Sequence, residues 1–230
     1  MSTAPARLVV LISGSGSNLQ AILDACRAPV NFQDAPPSVG VDLRVNPGRT
    51  HRCAPTCQSG RLPAEVVAVF SNKKDAYGLE RARQAGVAAI AVPKPRELDR
   101  RVYDAALAEQ VLAYQPDWVI LAGWMRILSN AFLEHFPGQV INLHPALPGT
   151  FPGTDAIQRA YEAYQQGAIP HTGVMVHLVP DEGVDCGPVL AQEIVPIQPS
   201  DSLEDLEQRI HAVEHRLLVA ALGQILEKKA

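Results

Sequence analysis

Residues 7–26 read Arg-Leu-Val-Val-Leu-Ile-Ser-Gly-Ser-Gly-Ser-Asn-Leu-Gln-Ala-Ile-Leu-Asp-Ala-Cys, and this stretch decides the fold. Leu8 to Ile12 is an unbroken apolar run, as expected of a strand buried on both faces. Ser13 to Asn18 forbids its continuation. The apolar positions Leu19, Ile22, Leu23 and Cys26 then recur at the spacing of a helix. A strand, a glycine-rich turn and a helix N-terminus together present free backbone N–H groups to an anion, commonly phosphate. The glycines allow close approach, and Ser17 or Asn18 can cap the helix. A tight turn with a cap and no ligand is the alternative. The loop is not a dinucleotide fingerprint, because Leu19 stands where the third glycine belongs.

The same unit recurs downstream. Strands are expected at Glu65–Phe70, Ala88–Val92 and Val119–Ala122, with a fifth ending at Val140-Ile141. Helices are expected at Asp75–Gln84, with Gly86 as its stop, and at Glu97–Ala113, which carries Arg100; a short helix begins at Ser129. Apolar strands alternating with helices predict an α/β fold: a Rossmann-like, open, mostly parallel sheet flanked by helices. After a helix at Asp155–Gln166, strands at Val174–Val179 and Val189–Val195, joined by an acidic loop, read as an antiparallel addition in the C-terminal part. The whole, 1–230, reads as a single domain with an insertion-like segment at 28–63. In such sheets ligands bind beyond the carboxyl ends of the strands. The glycine loop, Met125–Leu128 and the end of the fifth strand all fall there. Glu65–Phe70 ends instead in Ser71-Asn72-Lys73-Lys74, a solvated turn or a weak 2′-phosphate site.

That fifth strand leads into Asn-Leu-His-Pro at 142–145 and a loop interrupted by Pro148, Gly149, Pro152 and Gly153. Side chains alternate faces along a strand, so Asn142 and His144 project to one side and Leu143 to the other. An amide beside a titratable ring suits stabilisation of a developing oxyanion; two groups satisfying local backbone are the alternative. Asp185, between turn-forming residues, has the surroundings of a carboxylate held in place. The last helix carries an apolar stripe through Leu203, Leu206, Ile210, Val213, Leu217 and Ala221, and Glu214 lies within it. A carboxylate there needs a ligand or a structural salt bridge. His211 is at the stripe's edge, His215 is expected to be exposed, and His177 reads as structural.

A net charge of −4 without a basic run argues against nucleic acid as a partner. No stretch of 18 apolar residues suggests a membrane span, and the apolar run at Leu8–Ile12 is too short for a signal-peptide core. Four cysteines without an export signal point to a reduced, cytoplasmic protein. His51, Cys53 and Cys57 form no paired zinc knuckle, so a surface insertion without metal is expected there.

Ile-Ser-Gly-Ser-Gly-Ser-Asn-Leu at 12–19, Phe-Ser-Asn-Lys at 70–73, Ala-Gly-Trp-Met-Arg-Ile-Leu at 122–128, Ile-Asn-Leu-His-Pro at 141–145 and Asp-Glu-Gly-Val-Asp-Cys-Gly-Pro at 181–188 together resemble the phosphoribosylglycinamide formyltransferase family of formyl-folate transferases. The resemblance implies an enzyme of purine biosynthesis that moves a formyl group from 10-formyltetrahydrofolate, as co-substrate, to the amine of glycinamide ribonucleotide, with no metal. It implies a catalytic trio of Asn142, His144 and Asp185, in which Asp185 raises the pKa of His144 and orients its ring. It further implies ribonucleotide contacts at Gly16, Ser17, Asn18 and Glu214, and folate contacts at Arg100, Met125, Arg126, Ile127, Leu128 and Asn142. Partners are small-molecule substrates, and a homodimer stays open. Asp155 stands where the family often has histidine, and Met175 where it often has a small hydroxyl residue. A formyltetrahydrofolate hydrolase, an enzyme with another formyl acceptor, or a non-catalytic nucleotide- or folate-binding module are the competing readings.

Overall fold

The computed structural model describes residues 4–27 and 61–229. His51, Cys53, Cys57 and nearly all of the insertion-like segment lie outside the described residues. Chain order is β1 (Ala6–Ile12), α1 (Ser17–Arg27), β2 (Ala64–Ser71), α2 (Tyr77–Gln84), β3 (Ala88–Ala91), α3 (Arg100–Leu112), β4 (Trp118–Leu121), α4 (Asn130–Leu133), β5 (Val140–His144), α5 (Ala156–Gln165), β6 (His171–Leu178), β7 (Val189–Pro196) and α6 (Leu203–Lys229). Where the chain resumes, Leu62 is already buried and its N–H donates to the Ala25 carbonyl.

The sheet has seven strands in the order β3-β2-β1-β4-β5-β6-β7. Pairing is parallel from β3 to β5 and antiparallel from β5 through β6 to β7. It is thus the expected mostly parallel sheet with its antiparallel addition. β6 begins three residues earlier than its apolar alternation suggested, at His171. Strand order reverses at β1, which has β2 on one side and β4 on the other; sheets of this kind bind ligands at such a reversal, beyond the strands' carboxyl ends.

The period-two geometry of β1 splits the core. Leu8, Val10 and Ile12 pack with α1 and α6 on one face, while Val9 and Leu11 pack with α3 and α4 on the other. Phe132 and Phe70 are wholly buried on the second face, and truncating either to Ala would cost about 3–5 kcal/mol. Caps fix two of the flanking helices. Asp99 accepts from the N–H groups of Arg101 (2.8 Å) and Val102 (3.3 Å) at the start of α3. Ser202 and Asp205 bond each other reciprocally across the first turn of α6, the arrangement of a capping box.

Candidate active site

Three chain segments meet at the carboxyl edge of β1, β4 and β5. The end of β1 is tied to the end of β4, because the buried Ser13 Oγ accepts from the Met125 N–H at 2.8 Å. Beyond Ser13 the chain turns through Gly16, whose φ of +72° is available to glycine at little cost, into α1. Asn18, on the first turn of α1, directs its side chain across the molecule. Its Nδ2 donates to Glu214 Oε2 (3.3 Å), which also lies 2.8 Å from His211 Nδ1. Glu214 is only 5% exposed. The structure therefore brings Gly16, Ser17, Asn18 and Glu214 to one place. The hydrogen bond to Glu214 lifts the His211 pKa above its ordinary value, while burial lowers that of His215. His215 is half-buried rather than exposed. Asn18 Oδ1 is buried with no partner among the described residues.

Asn142 and His144 behave as the strand period demands. Leu143 points into the core beside α6, while Asn142 and His144 face the opposite side of the sheet. There they meet Asp185. Asn142 Nδ2 donates to Asp185 Oδ1 at 3.0 Å, and His144 Nδ1 lies 3.3 Å from Asp185 Oδ2. The Gly153 N–H donates to the same Oδ2 at 2.8 Å. Asp185 has φ of +51°, a left-handed conformation that carries strain for a side-chain-bearing residue. Its carboxylate is fixed by these contacts and by its backbone together.

His177, expected to be structural, belongs to this cluster. It is Asn142's cross-strand partner on β6, 1% exposed, with Nε2 at 3.1 Å from Asn142 Nδ2 and 3.5 Å from Asp185 Oδ1. Its Nδ1 lies 2.8 Å from the Leu178 carbonyl, which can only accept, so Nδ1 carries the hydrogen. Nε2 faces both the Asn142 amide and the Asp185 carboxylate, so the ring borders the pair that Asn142 Nδ2 and Asp185 form. Met175 sits opposite His144 in the same ladder and is 1% exposed.

Asp185 pulls the His144 pKa upward, as expected, but does not set its net direction. Burial lowers its pKa, and the pull upward from Asp185 and from the Phe151 carbonyl does not reverse that, so the net direction is down. The Asp185 carboxyl is pushed up by burial, but the contact from His177, the Gly153 N–H and the neighbouring His144 more than offset this and hold it below the usual range. His144 Nε2 is 3.1 Å from the Phe151 carbonyl. A neutral ring satisfies one of its two acceptors and an imidazolium satisfies both. The ring therefore has a stabilising partner on either side when it gains a proton. Arg159 Nη2 holds the turn that supplies Phe151 O, bonding that carbonyl at 2.8 Å and Pro152 O at 2.6 Å.

Asn142 and His144 open into a cavity of about 1070 Å³ that Arg100, Met125, Arg126, Ile127 and Leu128 also line. Met125, Ile127 and Val184 leave 65%, 48% and 40% of their surface exposed at its mouth, so it offers apolar surface to a flat ring. Leu128 differs: its side chain is in the core and only 3% exposed, so it supports the wall from behind. Arg126 stacks its guanidinium 5.3 Å from the Tyr103 ring centroid. Arg100 is ion-paired with Glu182 of the acidic loop, and Glu182 also accepts from the Asn130 N–H at 3.0 Å. Asp155, at φ +55°, lines the cavity and stands at the N-cap position of α5 without a side-chain cap hydrogen bond. Gly16–Asn18 and Glu214 are not part of this cavity; they lie on the α1/α6 face of the same edge.

The profile of the family described as Formyl transferase matches residues 47–222. The chain is 46% identical over 234 residues to the phosphoribosylglycinamide formyltransferase of Schizosaccharomyces pombe, across 96% of this chain and 97% of that one. It is 40% identical over 210 residues to the enzyme of that name from Escherichia coli, across 91% and 82%. Among solved structures, glycinamide ribonucleotide transformylase 1 from Symbiobacterium toebii superposes with a TM-score of 0.79 at 39% identity, covering 99% of this chain and 90% of that one.

Proposed function

The chain belongs to the phosphoribosylglycinamide formyltransferases, one-carbon group transferases of the formyl transferase family, and from that premise we propose how its own residues carry out formyl transfer in purine biosynthesis. The acceptor is the primary amine of glycinamide ribonucleotide and the donor is 10-formyltetrahydrofolate. The observation that carries this reading is the cluster of Asn142, His144, His177 and Asp185 at the wall of an apolar-mouthed cavity. Its mouth, with Met125, Ile127 and Val184 exposed, fits a pteridine ring, and Arg100 offers a cation to an anionic tail once Glu182 releases it.

In the reaction the amine nitrogen bonds to the formyl carbon, the formyl oxygen becomes an oxyanion, and the bond from that carbon to the folate nitrogen then breaks. Asn142 Nδ2 donates to the developing oxyanion, giving up its contact with His177; such donors act most strongly where charge appears only in the transition state. His144, neutral at rest, takes the proton from the attacking amine at Nε2, and the turn carrying Phe151 gives up its contact there. The imidazolium so formed is stabilised by Asp185 at Nδ1, then passes its proton to the departing folate nitrogen. Gly16, Ser17 and Asn18 hold the ribonucleotide phosphate on backbone N–H groups at the start of α1. Glu214 contacts the same ribonucleotide, and the Asn18 side chain keeps that carboxylate in register with the loop.

The test is a spectrophotometric assay of the purified chain with a 10-formyl-folate donor, with and without glycinamide ribonucleotide. Folate release that depends on the ribonucleotide is expected. Release in water alone would make the chain a hydrolase, and no release at all would leave a binding module.

A further inference from the structure

The anion loop is gripped from outside by α2, a helix to which nothing above gives a functional role. Two successive carbonyls of the loop are bonded to it. Gly14 O accepts from the Gly78 N–H at 3.1 Å, and Ser15 O accepts from Arg81 Nε at 2.9 Å. In a trans peptide unit the C=O and the following N–H point in opposite directions. Holding the Gly14 and Ser15 carbonyls toward α2 therefore turns the N–H groups of Ser15 and Gly16 away from it, to the side that opens at the start of α1. Two adjacent N–H groups facing one way form a concave anion-binding nest. Were either carbonyl free to turn round, it would face a bound phosphate with like partial charge.

Arg81 also reaches across to α1: its Nη1 donates to Gln20 Oε1 at 3.1 Å, and Gln20 Nε2 donates to Asp24 Oδ1 at 2.8 Å. The guanidinium lies 5.0 Å from the Tyr77 ring centroid, which limits its freedom. One planar group thus fixes the loop to the helix whose N-terminus it precedes. The contact between the segments is too close for side chains. A Cβ on Gly16 would stand 2.6 Å from Gly78 Cα, and one on Gly78 would stand 2.3 Å from Ile12 Cδ1 and 3.1 Å from Gly16 Cα.

We propose that Arg81, seated by Gly78, is a positioning residue for the ribonucleotide phosphate: it pins the Ser15 carbonyl so that the loop's N–H groups face the anion. This rests on the reading of Gly16–Asn18 as the phosphate loop.

The experiment uses the full chain as Arg81→Met, which keeps an unbranched apolar stem and loses every side-chain donor, and as Arg81→Lys, whose ammonium cannot reproduce the planar fork that joins Ser15 O to Gln20. Kinetics with glycinamide ribonucleotide are paired with calorimetric titration of ribose 5-phosphate. Arg81→Met is expected to raise the ribonucleotide KM and the ribose 5-phosphate Kd about 10- to 100-fold, as loss of a hydrogen bond from a charged donor implies. The donor KM and saturated kcat should stay within about threefold, a split that a general loss of structure would not produce. Arg81→Lys should recover only part of the loss. Gly78→Ala, which pushes α2 off the loop without touching any charge, should reproduce the same split. Ribose 5-phosphate bound normally by Arg81→Met overturns the proposal, as does full recovery in Arg81→Lys, which would make Arg81 a bare counter-charge. If the unaltered chain itself neither transfers formyl to the ribonucleotide nor binds ribose 5-phosphate, it is the underlying reading that fails.

Discussion

The anion loop and the Asp185 cluster stand at the same edge of one sheet and are assembled in opposite ways. The loop is local: its glycine turn, N–H groups and helix start lie within residues 14–18, and distant residues only brace it. The cluster is non-local. Asn142 and His144 come from β5, His177 from β6 and Asp185 from the loop beyond it, and none has a role without the others. The loop's donors are backbone groups that never titrate. The cluster's groups are buried or half-buried side chains, and among them Asp185 and His144 shift each other's pKa. The difference teaches a division of labour: a fixed dipolar site suits a ligand that keeps its charge, and a titrating, mutually dependent site suits a reaction that moves a proton.

Substitutions should separate the two regions. The largest effect is expected from His144→Ala, with kcat reduced about 10³- to 10⁴-fold through loss of proton transfer and of oriented charge, and the ribonucleotide KM nearly unchanged. Near-normal turnover in steady-state kinetics would remove His144 from the chemistry. Glu214→Gln should do the reverse, raising the ribonucleotide KM about 10- to 100-fold at near-constant kcat, since it strips the charge from a buried acceptor proposed to meet the ribonucleotide. A fall in kcat with unchanged KM would place Glu214 with the chemistry instead. His177→Ala should cost about tenfold in kcat by freeing the Asn142 amide to rotate, on the scale of one lost orienting hydrogen bond; crystallography of the variant would show whether the amide turns.

The smallest effect is on pH dependence. Burial lowers the His144 pKa, so with the neutral ring as the proposed base kcat/KM should fall with acidification only below the ordinary histidine value of about 6.5. Asp185→Asn removes the charge that pulls this pKa up, so the acid limb should move to still lower pH, alongside reduced activity. An acid limb above the ordinary histidine value would mean that Asp185 outweighs burial after all.

Some of the site was legible in the sequence. The shared face of Asn142 and His144 follows from a period of two, which needs no partner strand. The turn at Gly14–Asn18 follows from glycines between a buried strand and an amphipathic helix. Glu214 stood out as a charge in an apolar stripe, though that could not say whether it met a ligand or a salt bridge. The structure gives it Asn18 and His211 as neighbours. His177 was missed because its importance lies in the β5–β6 register, which places it opposite Asn142. Its alternation with Val174 and Val176 was a signal for the face, but not for the neighbour. Arg81 gave no signal at all: in the sequence it is one cation on the polar side of a helix.

The chain by itself determined which segments are strands and helices, where the glycine loop turns, and which side chains share a face. Those properties depend on steric limits and periodicities that operate over a few residues. Only the tertiary structure decided that Asp185 lies between two histidines and an amide, that Asn18 meets Glu214 from the other end of the chain, and that His144 is buried between the Asp185 carboxylate and the Phe151 carbonyl. Each of those depends on register, crossover and solvent exclusion, which arise only when distant segments pack against one another.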